Sequence, residues 1–250
     1  MSGDQARVDV VACALARQLR ADDVVGVGLG TPLALCAALV AQRTSAKGAT
    51  VLCGGAVSPR ATLAECMHHD TAGRTPGFVP HLDTMDMAER QAMTLQFFRP
   101  AQVGPDGSAN TSRVQAGDRL VRFPGALALS DTPNLMPRVL LYHTAHEPRN
   151  LPAEVGYRTV AGGGIERSGY RALGATKLIT DRAVIVFSPH GPRLESFHPG
   201  ETVASVVEAT GFALATEGAV ETPGPSPDEQ GALDAVDPSR LRDSEFKQKR

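Results

Sequence analysis

Thr50-Val51-Leu52-Cys53-Gly54-Gly55-Ala56 decides the fold. Four strand-forming residues run into two glycines, with helical sequence before them and loop sequence after. Upstream, Val24-Val25-Gly26-Val27-Gly28 reads as a short buried strand. Gly28-Leu29-Gly30-Thr31-Pro32 then turns into a helix over Pro32 to Gln42, with proline at its favoured first position. Strand, Gly-rich turn, helix and strand make a βαβ unit, which predicts an open, doubly wound, mostly parallel α/β sheet. Ligands of such sheets bind outside the carboxyl ends of the strands. Gly28, Gly30, Cys53, Gly54 and Gly55 are therefore candidate site residues, because glycines let backbone N–H groups approach a ligand closely.

The remaining strand and helix signals extend this pattern. Val8 to Leu19 carries apolar residues at helical spacing, with Asp4 placed to cap it. Asp83 to Gln96 reads as a helix with Asp83 as N-cap. Phe97 to Val103, Leu120 to Phe123, Val139 to Tyr142 and Leu194 to Phe197 read as strands, and Asp131 to Met136 is at most briefly helical. Lys177 to Thr180 and Ala183 to Phe187 form a hairpin around Asp181-Arg182, and Thr202 caps a helix over Val203 to Thr210. After Glu217 the composition shifts to Pro, Gly and charge. The expected division is an α/β domain over residues 1–217 and an extended tail over 218–250.

Composition excludes several functions. The 250 residues are 42% hydrophobic and 21% charged, an ordinary globular balance. A net charge of −2 argues against a nucleic-acid or anionic-membrane surface. No apolar run of 18 residues predicts a membrane span, and Met1-Ser-Gly-Asp-Gln lacks the pattern of a secretory signal. Cys13, Cys36, Cys53 and Cys66 have no CxxC spacing, which fits reduced, buried thiols of a cytoplasmic protein. Glu65-Cys66-Met67-His68-His69-Asp70 is the densest group of potential metal ligands, but no spacing compels a metal site, and a solvated loop or partner contact accounts for it. Gly26, Gly28 and Gly30 do not make the dinucleotide fingerprint with its distant acid.

Three further stretches carry a family resemblance. Ala175-Thr-Lys-Leu-Ile-Thr-Asp-Arg-Ala-Val-Ile-Val-Phe187 and Leu194-Glu-Ser-Phe-His-Pro-Gly-Glu-Thr202, continuing through Ala209-Thr-Gly-Phe212, are two of them. The third is the turn Gln102-Val-Gly-Pro-Asp-Gly-Ser-Ala-Asn110. Together they resemble the β subunit of class I CoA-transferases of the glutaconate CoA-transferase type. The resemblance implies the CoA-transferase (NagB/RpiA-like) α/β fold, a homologous α subunit in an α2β2 heterotetramer, and an acyl-CoA substrate. It implies no permanently bound cofactor, coenzyme A entering as part of the substrate. It also places Asn110 and Gly125 near that substrate.

This sequence departs from the family at the strand end. The transferase glutamate maps onto Cys53, and no Asp or Glu lies between Ala46 and Ala64. The family's Gly-Ser-Gly-Gly loop reads Gly125-Ala126-Leu127-Ala128 here. A thiol cannot form the mixed anhydride that a carboxylate nucleophile forms with the acyl group. Such a departure resembles the two-subunit ring-cleaving hydrolases of bacterial steroid catabolism, whose essential glutamate lies on the α subunit. The expected function is thus CoA-thioester-dependent hydrolysis of a carbon–carbon bond, with CoA transfer and a non-catalytic structural role as alternatives. His143 and His146, just past a strand end, are candidate acid–base groups; His143 reads equally as a structural histidine, and the polar stretch His146-Glu147-Pro148-Arg149 as facing the partner subunit. Arg149 is a candidate for phosphate or carboxylate, and Asp131 and Asn134 complete the polar candidates.

Overall fold

The computed structural model describes residues 3–28, 30–126, 135–167 and 170–246. Asp131, Asn134, Leu127 and Ala128 lie outside the described residues. The chain divides into two compact units, Met1–Phe97 with Pro223–Arg250, and Phe98–Thr222.

The first unit opens with helix α1 (Gly3–Ala16), strand β1 (Val24–Val27), helix α2 (Pro32–Arg43) and strand β2 (Thr50–Cys53). β1 and β2 pair in parallel, Val25 facing Val51 and Val27 facing Cys53. This is the βαβ unit that the sequence predicts. Leu33 to Ala41 of α2 are all buried, as expected of a helix that is apolar on every side. α2 packs on α1 and on both strands it connects.

The chain then turns back on itself. Strand β3 (Ala56–Val57) pairs antiparallel with β2, so Gly54 and Gly55 form a two-residue hairpin loop. Both have positive φ, +55° and +91°, the combination such a tight loop needs and glycine supplies without strain. Helix α3 (Leu63–Met67) and strand β4 (Gly77–Phe78) follow, within a stretch that the sequence reading leaves irregular. α3 is short but closed by a capping box, Thr62 accepting from Glu65 N–H while the Glu65 carboxylate accepts from Thr62 N–H.

Helix α4 spans His81–Glu89 and strand β5 Leu95–Phe98. The sequence reading runs this helix from Asp83 to Gln96, and the structure corrects it. Gln91 takes a positive φ of 57°, and Leu95 pairs in parallel with Val25 of β1. Sheet pairing overrides the helical spacing of the methionines. The strand order of this unit is β5-β1-β2-β3-β4, parallel at its centre and antiparallel toward β4.

The second unit holds two small hairpins, β6 (Gln102–Val103) with β7 (Ala109–Asn110), and β8 (Arg113–Ala116) with β9 (Arg119–Arg122). Its larger sheet contains β10 (Arg138–His143), β11 (Gly163–Arg167), β12 (Tyr170–Thr180), β13 (Ala183–Val186), β14 (Arg193–Phe197) and β15 (Val220–Glu221). The order is β15-β14-β13-β12-β10, with β11 paired to β12. β10 and β12 run parallel, and β12, β13 and β14 are antiparallel, as the predicted hairpin requires. Helix α5 (Val203–Glu208) starts at Thr202, whose hydroxyl accepts from Ser205 N–H.

Residues 218–250, expected to be an extended tail, are corrected in part. Helix α6 (Pro227–Val236) and a 3₁₀ helix (Leu241–Phe246) belong to the first unit and pack on α2. Ser226 caps α6 through a capping box with Glu229, and Pro227 opens it. Arg242 is only 1% exposed. Its Nε donates to Asp9 of α1 at 2.9 Å and its Nη1 to the Asp237 carboxylate at 3.0 Å. Two buried carboxylates and one buried guanidinium satisfy one another, so a run that looks too polar for a core becomes part of one. Glu245 reaches the start of α2, accepting from Leu33 N–H at 2.7 Å.

Candidate functional site

The carboxyl end of β2, the turn after β1 and helix α3 together line a small cleft in the first unit. Its walls are Val27, Gly28, Gly30, Leu35, Cys53, Gly54, Cys66, Met67 and His69. It encloses about 20 Å³, room for about one water molecule, against the roughly 300 Å³ or more of a pocket that surrounds a small ligand. Four of the sequence candidates, Gly28, Gly30, Cys53 and Gly54, meet here. Gly28 is fixed by Thr31, whose hydroxyl donates to its carbonyl at 2.6 Å. Gly30 holds φ at +73°. Gly55 stands beside the cleft, beneath Phe78. A Cβ on Gly55 would lie 2.6 Å from the Phe78 ring and 2.7 Å from the Val79 carbonyl oxygen.

Cys53 ends β2 buried. Its Sγ lies 3.9 Å from the Cys66 carbonyl oxygen, and Cys66 stands beside it in the cleft wall. The neighbouring Cys66 side chain, with burial, pushes the Cys53 pKa up, and Cys53 in turn draws the Cys66 pKa down. A thiol held protonated is a poor nucleophile. The carboxylate nearest in sequence, Glu65, is committed elsewhere. It accepts from Thr62 N–H at 2.8 Å and pairs with Arg74, and those partners hold its pKa down to about 2. No carboxylate stands among the cleft's described lining residues.

Gly54 and Gly55 supply what the side chains do not. Among the described residues neither N–H is donated to another group, so two backbone donors at the strand end are available to an anionic oxygen. His69, with φ at +56°, sets its ring against Gly54, where a Cβ would be 2.7 Å from Cε1. Cys66, Met67 and His69 reach the cleft from the stretch that the sequence reading assigns to a solvated loop. The available signal is the Thr62 to Glu65 capping box, which turns the chain there and aims α3 at β2. Among the described residues no group of three His, Cys, Asp or Glu could hold a metal ion.

The remaining candidates belong to the second unit, and two of them are corrected. His146 is 1% exposed, with Nδ1 2.7 Å from the Thr180 hydroxyl and Nε2 2.8 Å from the Thr210 hydroxyl. Both nitrogens are used, and burial pushes its pKa down to about 3. It is a structural histidine rather than an acid–base group. Asn110 is fully buried and locks its own turn, donating to Gln102 Oε1 and to the Arg113 carbonyl, both at 2.8 Å. Its amide is saturated by the chain. The ring of His143 accepts from Ala145 N–H at 3.0 Å, and burial with the nearby Arg99 lowers its pKa to about 4. Arg149 is 75% exposed and pairs with Glu147 at 2.8 Å. Gly125, with φ at +85°, donates its N–H to the Thr111 carbonyl.

No family model matches the sequence. The β subunit of glutaconate CoA-transferase from Acidaminococcus fermentans is 26% identical over 242 residues, covering 88% of this chain and 87% of that protein. Among solved structures, the decarboxylase AibA/AibB superposes with a TM-score of 0.82 at 27% identity, covering 96% of this chain and 98% of that one. It has also been solved with one cysteine replaced by valine, asparagine, alanine or serine. IpdAB of Rhodococcus jostii RHA1 superposes with a TM-score of 0.82 at 21% identity over 97% of this chain, a likeness of fold.

Proposed function

We propose, from the premise that the chain belongs to the class I CoA-transferase family as a β-subunit-type member, that it is half of a two-subunit enzyme breaking a carbon–carbon bond in an acyl-CoA thioester. The observation that carries this reading is the strand end. Where a transferase needs a carboxylate, β2 ends in a buried thiol whose pKa is raised, and the acid nearest to it in sequence, Glu65, caps α3. CoA transfer through a nucleophile on this chain therefore lacks its reacting group.

Carbon–carbon cleavage asks for something else. The thioester carbonyl accepts the electron pair released from the broken bond, and the resulting enolate oxygen needs hydrogen-bond donors in a water-poor site. The N–H groups of Gly54 and Gly55 are such donors. A homologous α subunit supplies the base and the rest of the acyl pocket, which agrees with a cleft that holds little more than one water. Hydrolytic opening of a carbon ring, as in steroid-type breakdown, and decarboxylation generate the same kind of enolate. The 27% identity to a decarboxylase supports the second form.

The test is co-expression with its α subunit and incubation of the complex with a panel of acyl-CoAs, with and without acetate or succinate. Mass spectrometry follows the CoA esters. Gain of one water or loss of carbon dioxide, with CoA still attached, is the expected result and separates the two forms. CoA appearing on the added acid, with a borohydride-trapped ester on this chain, would overturn the proposal.

A further inference from the structure

Helix α3 ends on a residue that the ending does not favour. The Asp70 N–H reaches back to the Glu65 carbonyl at 2.8 Å, and the His69 N–H to the Cys66 carbonyl at 3.1 Å. This pair of bonds is a Schellman ending, whose left-handed residue is usually glycine. Here that residue is His69, at φ +56°, a backbone region that costs a residue with a side chain free energy. No bond made by the imidazole offsets that cost. Among the described residues neither ring nitrogen has a hydrogen-bond or ion-pair partner, and the residue is exposed. The ring is nonetheless placed. It stands against Gly54, where an added Cβ would lie 2.7 Å from Cε1 and 2.8 Å from Nδ1, so only glycine admits it. The imidazole thus lines the cleft beside the two free N–H donors of the Gly54–Gly55 loop. Of the described lining residues, Cys53, Cys66 and His69 carry an ionisable group, and both thiols are buried. Of these three, only His69 meets both the cleft and solvent.

We infer that His69 is the proton donor to carbon in this cleft. The inference deepens the carbon–carbon cleavage reading above and rests on it. When that bond breaks, its electron pair passes into the thioester and leaves an enolate, whose oxygen the Gly54 and Gly55 N–H groups hold. The carbon to be protonated is attached to the carbonyl carbon, so its donor has to stand beside the oxyanion site, where this ring is. The enolate's electron pair forms the new C–H bond with the proton of the His69 ring. The N–H bond breaks toward nitrogen, and the neutral imidazole regains a proton from water. In decarboxylation that proton takes the place of the carbon dioxide lost. In hydrolysis the water consumed gives its hydroxide to the departing acyl carbon and its proton to the ring.

The test uses the complex with its α subunit and the acyl-CoA that the complex cleaves. His69→Gly removes the ring and supplies the residue this helix ending prefers, so the variant should melt no lower than the parent. Its kcat should fall by about a hundredfold or more with KM within about threefold, as loss of a general acid requires, and added imidazole should restore about tenfold or more. His68→Gln, next in the chain and outside the cleft lining, should turn over as the parent does. A second readout needs no bond cleavage. In deuterium oxide the parent complex should exchange the α-hydrogen of butyryl-CoA for deuterium, and His69→Gly should be as impaired in exchange as in turnover. Cleavage by His69→Gly at the parent's rate, a loss that imidazole does not restore, or an equal loss in His68→Gln would overturn the inference and leave the function standing. A parent complex that cleaves no acyl-CoA but exchanges deuterium, where His69→Gly does not, would overturn the function and keep the inference. Neither cleavage nor exchange by the parent overturns both.

Discussion

Replacing Arg242 by alanine tests whether the C-terminal segment is part of the fold that holds the cleft. The guanidinium makes three hydrogen bonds, to the Asp9 carboxylate, the Asp237 carboxylate and the Asp237 carbonyl. Both aspartates are essentially inaccessible to water. Arg240 also reaches Asp9, at 3.0 and 3.2 Å, so Asp9 retains one cation, while Asp237 retains only N–H donors from Leu241 and Arg242. Removing one member of such a buried set costs about 3–5 kcal/mol, because the remaining charge stays buried. At about 1.4 kcal/mol per factor of ten, protection of α1 and α2 amides against hydrogen exchange should drop by roughly two to three and a half powers of ten. The drop belongs to the first unit, so peptides from Val139 to Tyr142 should exchange as in the parent. Exchange read by mass spectrometry is the suitable assay, since a chain of two units need not unfold in one step. A change below tenfold in α1 and α2 would refute the reasoning, and the segment would then be an ornament on the unit. Removing the stranded charge as well, in Asp237→Asn/Arg242→Met, should cost less than Arg242→Ala alone.

Three other outcomes follow from the geometry. Cys53→Ala in the two-subunit complex should keep kcat within about fivefold, because a thiol held protonated is not the nucleophile; a loss of a thousandfold or more would show covalent chemistry at that sulfur. His146 titrates below the value near 6.5 of an unfolded chain, so the unfolded state binds more protons as pH falls from about 6.5 toward 3. Stability of the second unit should decline through that window by up to about 1.4 kcal/mol per pH unit from this residue, which urea titrations at stepped pH would measure; a flat profile would contradict the burial of its ring. Gly55→Ala should destabilise the first unit by about 1–3 kcal/mol through its positive φ and the clash with Phe78 and Val79, whereas Gly54→Ala, also at positive φ, meets only the movable His69 ring and should cost less in thermal melts.

Much of the first unit was legible in sequence because its signals are local. Val24 to Val27, Pro32 onward and Thr50 to Cys53 fall where buried runs, a first-turn proline and two glycines put them. The Lys177–Phe187 hairpin and the Thr202 cap were equally local. What escaped reading was non-local or depended on pairing. The Asp83 to Gln96 stretch has helical spacing throughout, yet its end was claimed by pairing with β1. Ser226-Pro227-Asp228-Glu229 carries a complete helix-start signal, but the polar composition around it hid how Arg242 and the two aspartates neutralise one another. At the site, the glycines and Cys53 could be placed from the βαβ pattern. Cys66 and His69 could not, because the turn that delivers them depends on a capping box rather than on hydrophobic period. The family resemblance put Asn110 at the substrate and residue type made His146 an acid–base candidate, and their hydrogen bonds within the chain could be known only from the fold.

The return of the C-terminal segment to α1 and α2 also sets an order of events during synthesis. Asp9 and the start of α2 leave the ribosome early, but Arg242 and Glu245, their partners, are made only after the whole of residues 98–222. At about 5–20 residues per second, that interval is roughly six to 25 seconds. Throughout it α1 has a carboxylate with no counter-ion and α2 an uncapped first turn, and the later-made unit is complete before those partners are added. The nascent chain therefore finishes its second unit before its first.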